Sequence, residues 1–229
     1  MEHLLSLYAL PYDAQHPVIC FDERSCFLIG DQLAPLLMQS GQVRKEHYAY
    51  EKNGSCALLA AIEPLTGERL AQVKPNRTKK EYTEFCQALA ARYPEAKKIR
   101  LVQDNLNTHN ASSFYEHLPA EQAFALAERF EFNYKPKSAS WLNMIEIEFS
   151  ALSRQCLDRH IPTIEQLEKE VCRGAVGLVT TIRRIPTIEQ LEKGGAGLSQ
   201  RARGEEDQNQ LAVLSQNQAQ QALSTGQSG

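Results

Sequence analysis

The chain runs to residue 229, yet its last phenylalanine, tyrosine or tryptophan is Phe149. Aromatic side chains bring the largest apolar areas into a core, so the packed part of the molecule must be built from the first two thirds of the sequence. With 42% hydrophobic and 23% charged residues, the chain belongs to the ordinary globular class and has material for one main domain. No apolar run reaches the roughly 18 residues of a membrane span. The opening stretch MEHLLSLYALPYD lacks the basic flank and small-residue cleavage site of a secretory signal, so a cytosolic protein with no membrane partner is expected. The six cysteines, Cys20, Cys26, Cys56, Cys86, Cys156 and Cys172, form no C-x-x-C pair or zinc-ligand spacing and read as reduced, mostly buried thiols.

Within the aromatic-rich part, PVICFDE, SCALLAAIE, RLAQV, KIRLVQD and FEFNY read as five short strands. Turn signals separate them, among them Lys52-Asn53-Gly54 and Thr66-Gly67. Three segments are predicted as helices. The first, TKKEYTEFCQALAARYPE, has Thr78 as N-cap, Glu81 as its capping-box partner and Pro94 as its stop. The second runs through SSFYEHL and EQAFALAER with a break at Pro119. The third begins near Ser140 and sets Leu142, Ile145, Phe149, Leu152 and Cys156 at helical spacing. The order of three strands, helix, strand, helix, strand, helix predicts an α/β fold with a mixed sheet flanked by helices.

The remainder reads differently. The nine residues IPTIEQLEK occur at 161–169 and again, identically, at 185–193, which looks like a recent duplication and not a solenoid repeat. Residues from Gly194 onward are rich in Gln, Gly and Ser and are expected to form a flexible tail. The expected division is therefore a domain over 1–170, a duplicated segment over 171–193 and a disordered tail over 194–229.

Two apolar strands run straight into carboxylates: Val18–Phe21 into Asp22, and Ile99–Gln103 into Asp104. On adjacent strands these groups would be held rigidly at one edge of the sheet. A third carboxylate follows the fifth strand, in SWLNMIEIEF. Three clustered acids repel one another unless a cation lies between them, and oxygen-only ligation selects hard ions such as Mg²⁺ or Mn²⁺. Two such ions about 3.5–4 Å apart suit phosphodiester chemistry. An aspartate after a strand is also a common turn residue, so the pattern alone does not assign a function. Nor does it choose the third acid: Glu146 and Glu148 stand about 200° apart on a helix and flank its apolar stripe almost symmetrically.

The segments DERSCFLIGD, VQDNLNTH and KPKSASWLNMIEIEFSALSRQCLDR, each following a strand, resemble the DDE catalytic domain of bacterial insertion-sequence transposases in the mariner superfamily. The resemblance covers about residues 1–170 and includes Tyr8, Pro11-Tyr12-Asp13, Asn53-Gly54 in a hairpin and Pro94. It implies a ribonuclease H-like fold and a DNA transposase core that cuts and joins DNA strands using two Mg²⁺ or Mn²⁺ ions. It implies Asp22 and Asp104 as the first two catalytic metal ligands and, through the pattern L-N-x-x-E at Leu142–Glu146, Glu146 as the third, with Glu148 the alternative. Asn105 and His109 belong to a D-N-x-x-x-H motif and are expected beside the active site.

Implied partners are transposon ends and target DNA, with assembly as a homo-oligomer on DNA in the bacterial cytoplasm, at the nucleoid. The formal net charge of −3 makes any DNA contact local, and Lys135 and Lys137, just ahead of the glutamate-bearing helix, are the expected phosphate contacts. Trp141 is expected to anchor that helix. The N-terminal helical DNA-reading module usual in the family is expected to be lacking, which leaves an inactive, DNA-associated or dimerising remnant as the competing reading.

Overall fold

The computed structural model describes residues 1–33 and 49–181, with side chains through residue 173. The duplicate copy at 185–193 and the Gln-rich segment from 194 lie outside the described residues. The elements are α1 (Glu2–Tyr8), β1 (Val18–Asp31), β2 (Tyr50–Ile62), β3 (Arg69–Lys74), α2 (Lys79–Arg92), β4 (Ile99–Gln103), α3 (Ser112–His117), α4 (Ala120–Glu128), β5 (Phe130–Tyr134), α5 (Ile145–Leu152) and α6 (Ile164–Thr181). A single 3₁₀ turn at Ser140–Leu142 precedes α5, and a π-type turn at Ser153–Leu157 follows it.

All five expected strands form one sheet in the order β3-β2-β1-β4-β5. β1 pairs antiparallel with β2, and β2 with β3, whereas β1–β4 and β4–β5 are parallel. The parallel connections are made by helices, as crossovers must be. Side-chain alternation splits the core in two. Ile19, Phe21, Ala57, Leu59 and Ala61 pack on one face against Tyr82, Phe85 and Leu89 of α2, Phe114 of α3 and Leu126 of α4. Cys20, Leu58, Ala60, Ile62 and Val102 pack on the other against Leu4 and Leu7 of α1, Ile145, Phe149 and Leu152 of α5, and Leu167 and Val171 of α6. Each fully buried large side chain contributes about 1.5–3 kcal/mol.

Local signals account for several boundaries. Thr78 caps α2 in a capping box with Glu81, as expected, and Pro119 separates α3 from α4. Gly67, at φ +78°, makes the β2–β3 turn. Asn53-Gly54 is a different device from the expected turn, for β2 runs through both residues. Leu28 pairs with Gly54 and Ile29 with Lys52, so Asn53 is the extra residue of a β-bulge. Gly54 at φ +116° supplies the backbone freedom that bulge needs.

Two helices were not expected from the sequence. α1 buries only Leu4 and Leu7. α6 begins within the first IPTIEQLEK copy and runs past residue 170, burying Leu167 and Val171. Among the described residues, Cys20, Cys56, Cys86 and Cys156 are buried free thiols, Cys26 is half-buried and Cys172 is exposed. No helix of the described residues is long and apolar enough to cross a membrane.

Candidate active site

The parallel pairing of β1 with β4 brings the two aspartates side by side. Cys20 is opposite Val102, and Asp22 and Asp104 each follow two residues later. β4 ends just before Asp104 as expected, but β1 continues to Asp31, so Asp22 lies within its strand and is only 7% exposed. The period-2 alternation puts Asp22 on the same face as Cys20, toward α5.

Three donors converge on the Asp22 carboxylate. Lys135 Nζ lies 2.9 Å from Oδ2, the Asn143 amide donates to the same oxygen at 3.3 Å, and the Glu23 backbone N–H donates to Oδ1 at 2.8 Å. Asn143 also donates to the Phe21 carbonyl at 2.8 Å, which ties the start of α5 to β1. At the other end of α5, Arg24 of β1 donates to the Phe149 carbonyl at 3.4 Å and to the Ser153 hydroxyl, a favourable place for a cation at a helix C-terminus. Tyr8 of α1 donates to the Leu142 carbonyl at 2.8 Å and holds the preceding turn.

Asp104 rests on a buried support. His109, at 0% exposed, binds Asp104 Oδ1 through Nδ1. Its Nε2 stands 3.5 Å from Glu23 Oε2, too far for a good hydrogen bond, so that buried nitrogen has only an electrostatic partner. The ring stacks on Tyr82 at 5.0 Å and meets Phe21 edge-on at 5.2 Å. Burial opposes the His109 charge, but the bond to Asp104 and the charges of Asp104 and Glu23 outweigh it and push its pKa up to about 9. Burial likewise opposes ionisation of Asp104, and His109 and Lys135 together still hold its carboxyl below the usual range.

The two glutamates of α5 have opposite surroundings. Glu146 is half-buried and borders an open cleft with Glu23, Arg24, Phe149 and Ser150. Burial and the negative charge of Asp22 raise its pKa, against the pull of Lys135 and Arg24. Glu148 turns to β3, where Arg69 donates Nε to Oε2 at 2.6 Å and Nη2 to Oε1 at 3.1 Å. That bidentate pair is nearly closed to solvent.

A second open cleft, of about 470 Å³, is lined by Asp104, Asn105, Leu106 and the segment from Lys135 to Ser140. Asn105 and Lys137 are exposed along it, and Lys137 makes no ion pair among the described residues. Lys135 points inward to Asp22. Trp141, expected to anchor α5, is instead 67% exposed; Leu142 and Ile145 do the anchoring. Sequence reasoning assigned no role to Glu23 and Asn143, although both stand inside the quoted motifs. Their neighbours Asp22 and Glu146 were the available signal.

The set Asp22, Asp104 and Glu146 is oxygen-only and suits hard divalent ions in its chemistry. In this conformation one Asp22 oxygen is taken by Lys135, and among the described residues no three His, Cys, Asp or Glu groups are placed to hold an ion together.

Comparison with solved structures finds the same fold in several Mos1 transposase complexes. A Mos1 paired-end complex with left transposon end matches with TM-score 0.51 and 16% identity over 75% of this chain and 51% of that one. The Mos1 strand transfer complex matches with TM-score 0.50 and 16% identity, over 77% and 55%. The Mos1 mariner paired-end complex with Mn matches with TM-score 0.52 and 16% identity, over 77% and 52%. The chain thus spans about half the length of these transposases, and its sheet is ribonuclease H-like, as expected. Comparison with curated proteins gives no match. The model of the DDE superfamily endonucleases matches residues 17–168, and the chain belongs to that family.

Proposed function

We propose that the chain is the catalytic core of a cut-and-paste DNA transposase. In this reading Asp22, Asp104 and Glu146 hold two Mg²⁺ or Mn²⁺ ions. What supports it is the side-by-side placement of the two strand-borne aspartates by the β1–β4 pairing, with Glu146 near enough to Asp22 for that charge to raise its proton affinity. When bound, the ions would activate the attacking oxygen and stabilise the leaving one. A water oxygen forms a new bond to phosphorus, the bond to the 3′ oxygen breaks, and that oxygen leaves as a hydroxyl. The freed 3′ hydroxyl then attacks a target phosphate in the same manner.

The protein's own groups set the geometry of this chemistry. The two strands fix the aspartates, Asn143 and Arg24 fix α5, and His109 orients Asp104 from beneath. Lys137 and Asn105 line the cleft beside Asp104 and are the proposed contacts to phosphate. The partners on this reading are transposon ends and target DNA, bound by more than one copy in a bacterial cytoplasm, at the nucleoid. The Mos1 complexes with a transposon end and with Mn support the DNA and metal parts of it.

The test is nicking of supercoiled DNA by the purified chain with Mg²⁺ or Mn²⁺, alongside Asp104→Asn. Metal-dependent nicking that the variant loses while keeping its fold supports the reading. Equal nicking by both rejects the ligand assignment, and no nicking by either favours an inactive remnant.

A further inference from the structure

The geometry points to Lys135 as a built-in counter-cation: its ammonium neutralises Asp22 in the metal-free protein and is displaced into the neighbouring cleft when divalent ions enter. This rests on the reading of Asp22, Asp104 and Glu146 as ion ligands.

Lys135 follows β5, and β4 lies between β5 and β1. Its side chain therefore crosses the end of β4, where Asp104 begins, to reach Asp22 at 2.9 Å. Both members of the pair are largely withdrawn from solvent, at 13% and 10% side-chain exposure. Its positive charge also favours the ionised form of Asp104 and, against burial and the Asp22 charge, opposes the upward shift of Glu146. Carboxylates gathered without a cation must repel or take up protons. A single ammonium relieves that repulsion but leaves Asp22 Oδ2 occupied, and a divalent ion cannot bind the same oxygen from the same side.

The route of displacement is also present. The Lys135 backbone is fixed, its N–H donating to the Gln103 carbonyl at 2.8 Å, while the four-carbon stem remains free to change rotamer. Lys135 itself borders the cleft that contains Asn105 and the unpaired Lys137. A displaced ammonium would join Lys137 there, on the surface proposed for phosphate. Metal binding would then strengthen DNA binding by adding a second cation to the cleft, and DNA would by linkage strengthen metal binding.

The experiment uses the full chain without DNA. Mn²⁺ affinity is measured by electron paramagnetic resonance for wild type, Lys135→Gln, Lys135→Arg and Asp104→Asn, with metal-free melting temperatures. Lys135→Gln should bind Mn²⁺ about tenfold or more tightly, since a nearby positive charge is gone, and should melt lower until Mn²⁺ is added. Lys135→Arg should stay near wild type. In wild-type protein carrying ¹³Cε-lysine, the resonance absent from Lys135→Arg should move on addition of Mg²⁺, a readout that needs no change in the site.

Unchanged or weaker Mn²⁺ binding by Lys135→Gln, or an unmoved lysine resonance while Mg²⁺ binds, overturns the counter-cation. If Asp104→Asn binds Mn²⁺ as wild type does, the ligand reading fails and the counter-cation falls with it. If Asp104→Asn loses Mn²⁺ and Lys135→Gln gains nothing, only the counter-cation fails.

Discussion

The two faces of the sheet are built from different materials. The face under α2, α3 and α4 is aromatic: Phe21 packs on Tyr82 at 5.6 Å and on Phe85 at 5.0 Å, and Tyr82 stacks on Phe114 at 6.0 Å. The face under α1, α5 and α6 is aliphatic and cysteine-rich, with Phe149 its one buried aromatic among the described residues. Large rings with few rotamers make a stiff bed, and on that bed lies His109, the support of Asp104. The opposite face carries Glu146 on an eight-residue helix held at its two ends by Asn143 and Arg24. Asp104 therefore has a rigid mount, whereas Glu146 rides on an element with smaller, more adaptable contacts.

The sharpest way to break this picture is on α5 itself. Glu146→Gln should cut metal-dependent nicking by at least about a thousandfold, the upper range for loss of a group acting on transition-state charge, with little change in melting temperature. Glu148→Gln should do the reverse. It leaves Arg69 nearly buried without its partner charge and should cost about 3 kcal/mol in urea unfolding, with nicking largely kept at temperatures where the chain is folded. Equal losses of nicking in both variants would erase the difference between the two positions.

The materials of the two faces can be compared by truncation. Phe85→Ala should cost about 4 kcal/mol and Leu152→Ala about 2 kcal/mol in denaturant unfolding, because Phe85 is fully enclosed and Leu152 is 7% exposed at a helix end. A larger loss at Leu152 would mean that the aliphatic face is the stiffer one.

The bed beneath Asp104 also makes a pH signature. The His109 pKa is raised from 6.5 to about 9 in the folded chain, so its protonated form contributes stability that is fully present below pH 6.5 and is lost as pH rises through about 9. Urea titrations across that window should show stability falling in wild type. His109→Gln should flatten that fall, and an unchanged slope would remove His109 as its source.

The smallest expected effect is at a helix start. Thr78→Ala removes the side-chain half of the α2 capping box and should cost about 1 kcal/mol. A loss several times larger would show that the loop before α2 depends on Thr78 for more than its cap.

Much of this was legible because it is local. The alternation of Ile19 and Phe21 against Cys20, the Thr78–Glu81 box and the break at Pro119 are each written within a few residues. The neighbouring placement of Asp22 and Asp104 followed from two apolar runs that lead into acids, although β1 continues past Asp22 to Asp31. What the sequence hid depends on distant partners. Glu146 and Glu148 look alike along a helix, and only Arg69, far back on β3, tells their surroundings apart. Lys135 read as a phosphate contact because its inward partner, Asp22, is far away on β1. Asn53-Gly54 announces a positive φ, a signal that a turn and a bulge share. α1 is seven residues long and buries two leucines, too short a pattern to register as periodic.

Trp141 is the only tryptophan in the chain and stands 67% exposed between the cleft and α5. Its intrinsic fluorescence will therefore be red-shifted and open to collisional quenchers such as iodide in the native protein. Loss of the core will change that emission little, and a thermal melt followed at tryptophan wavelengths will report the loop before α5 instead of the sheet.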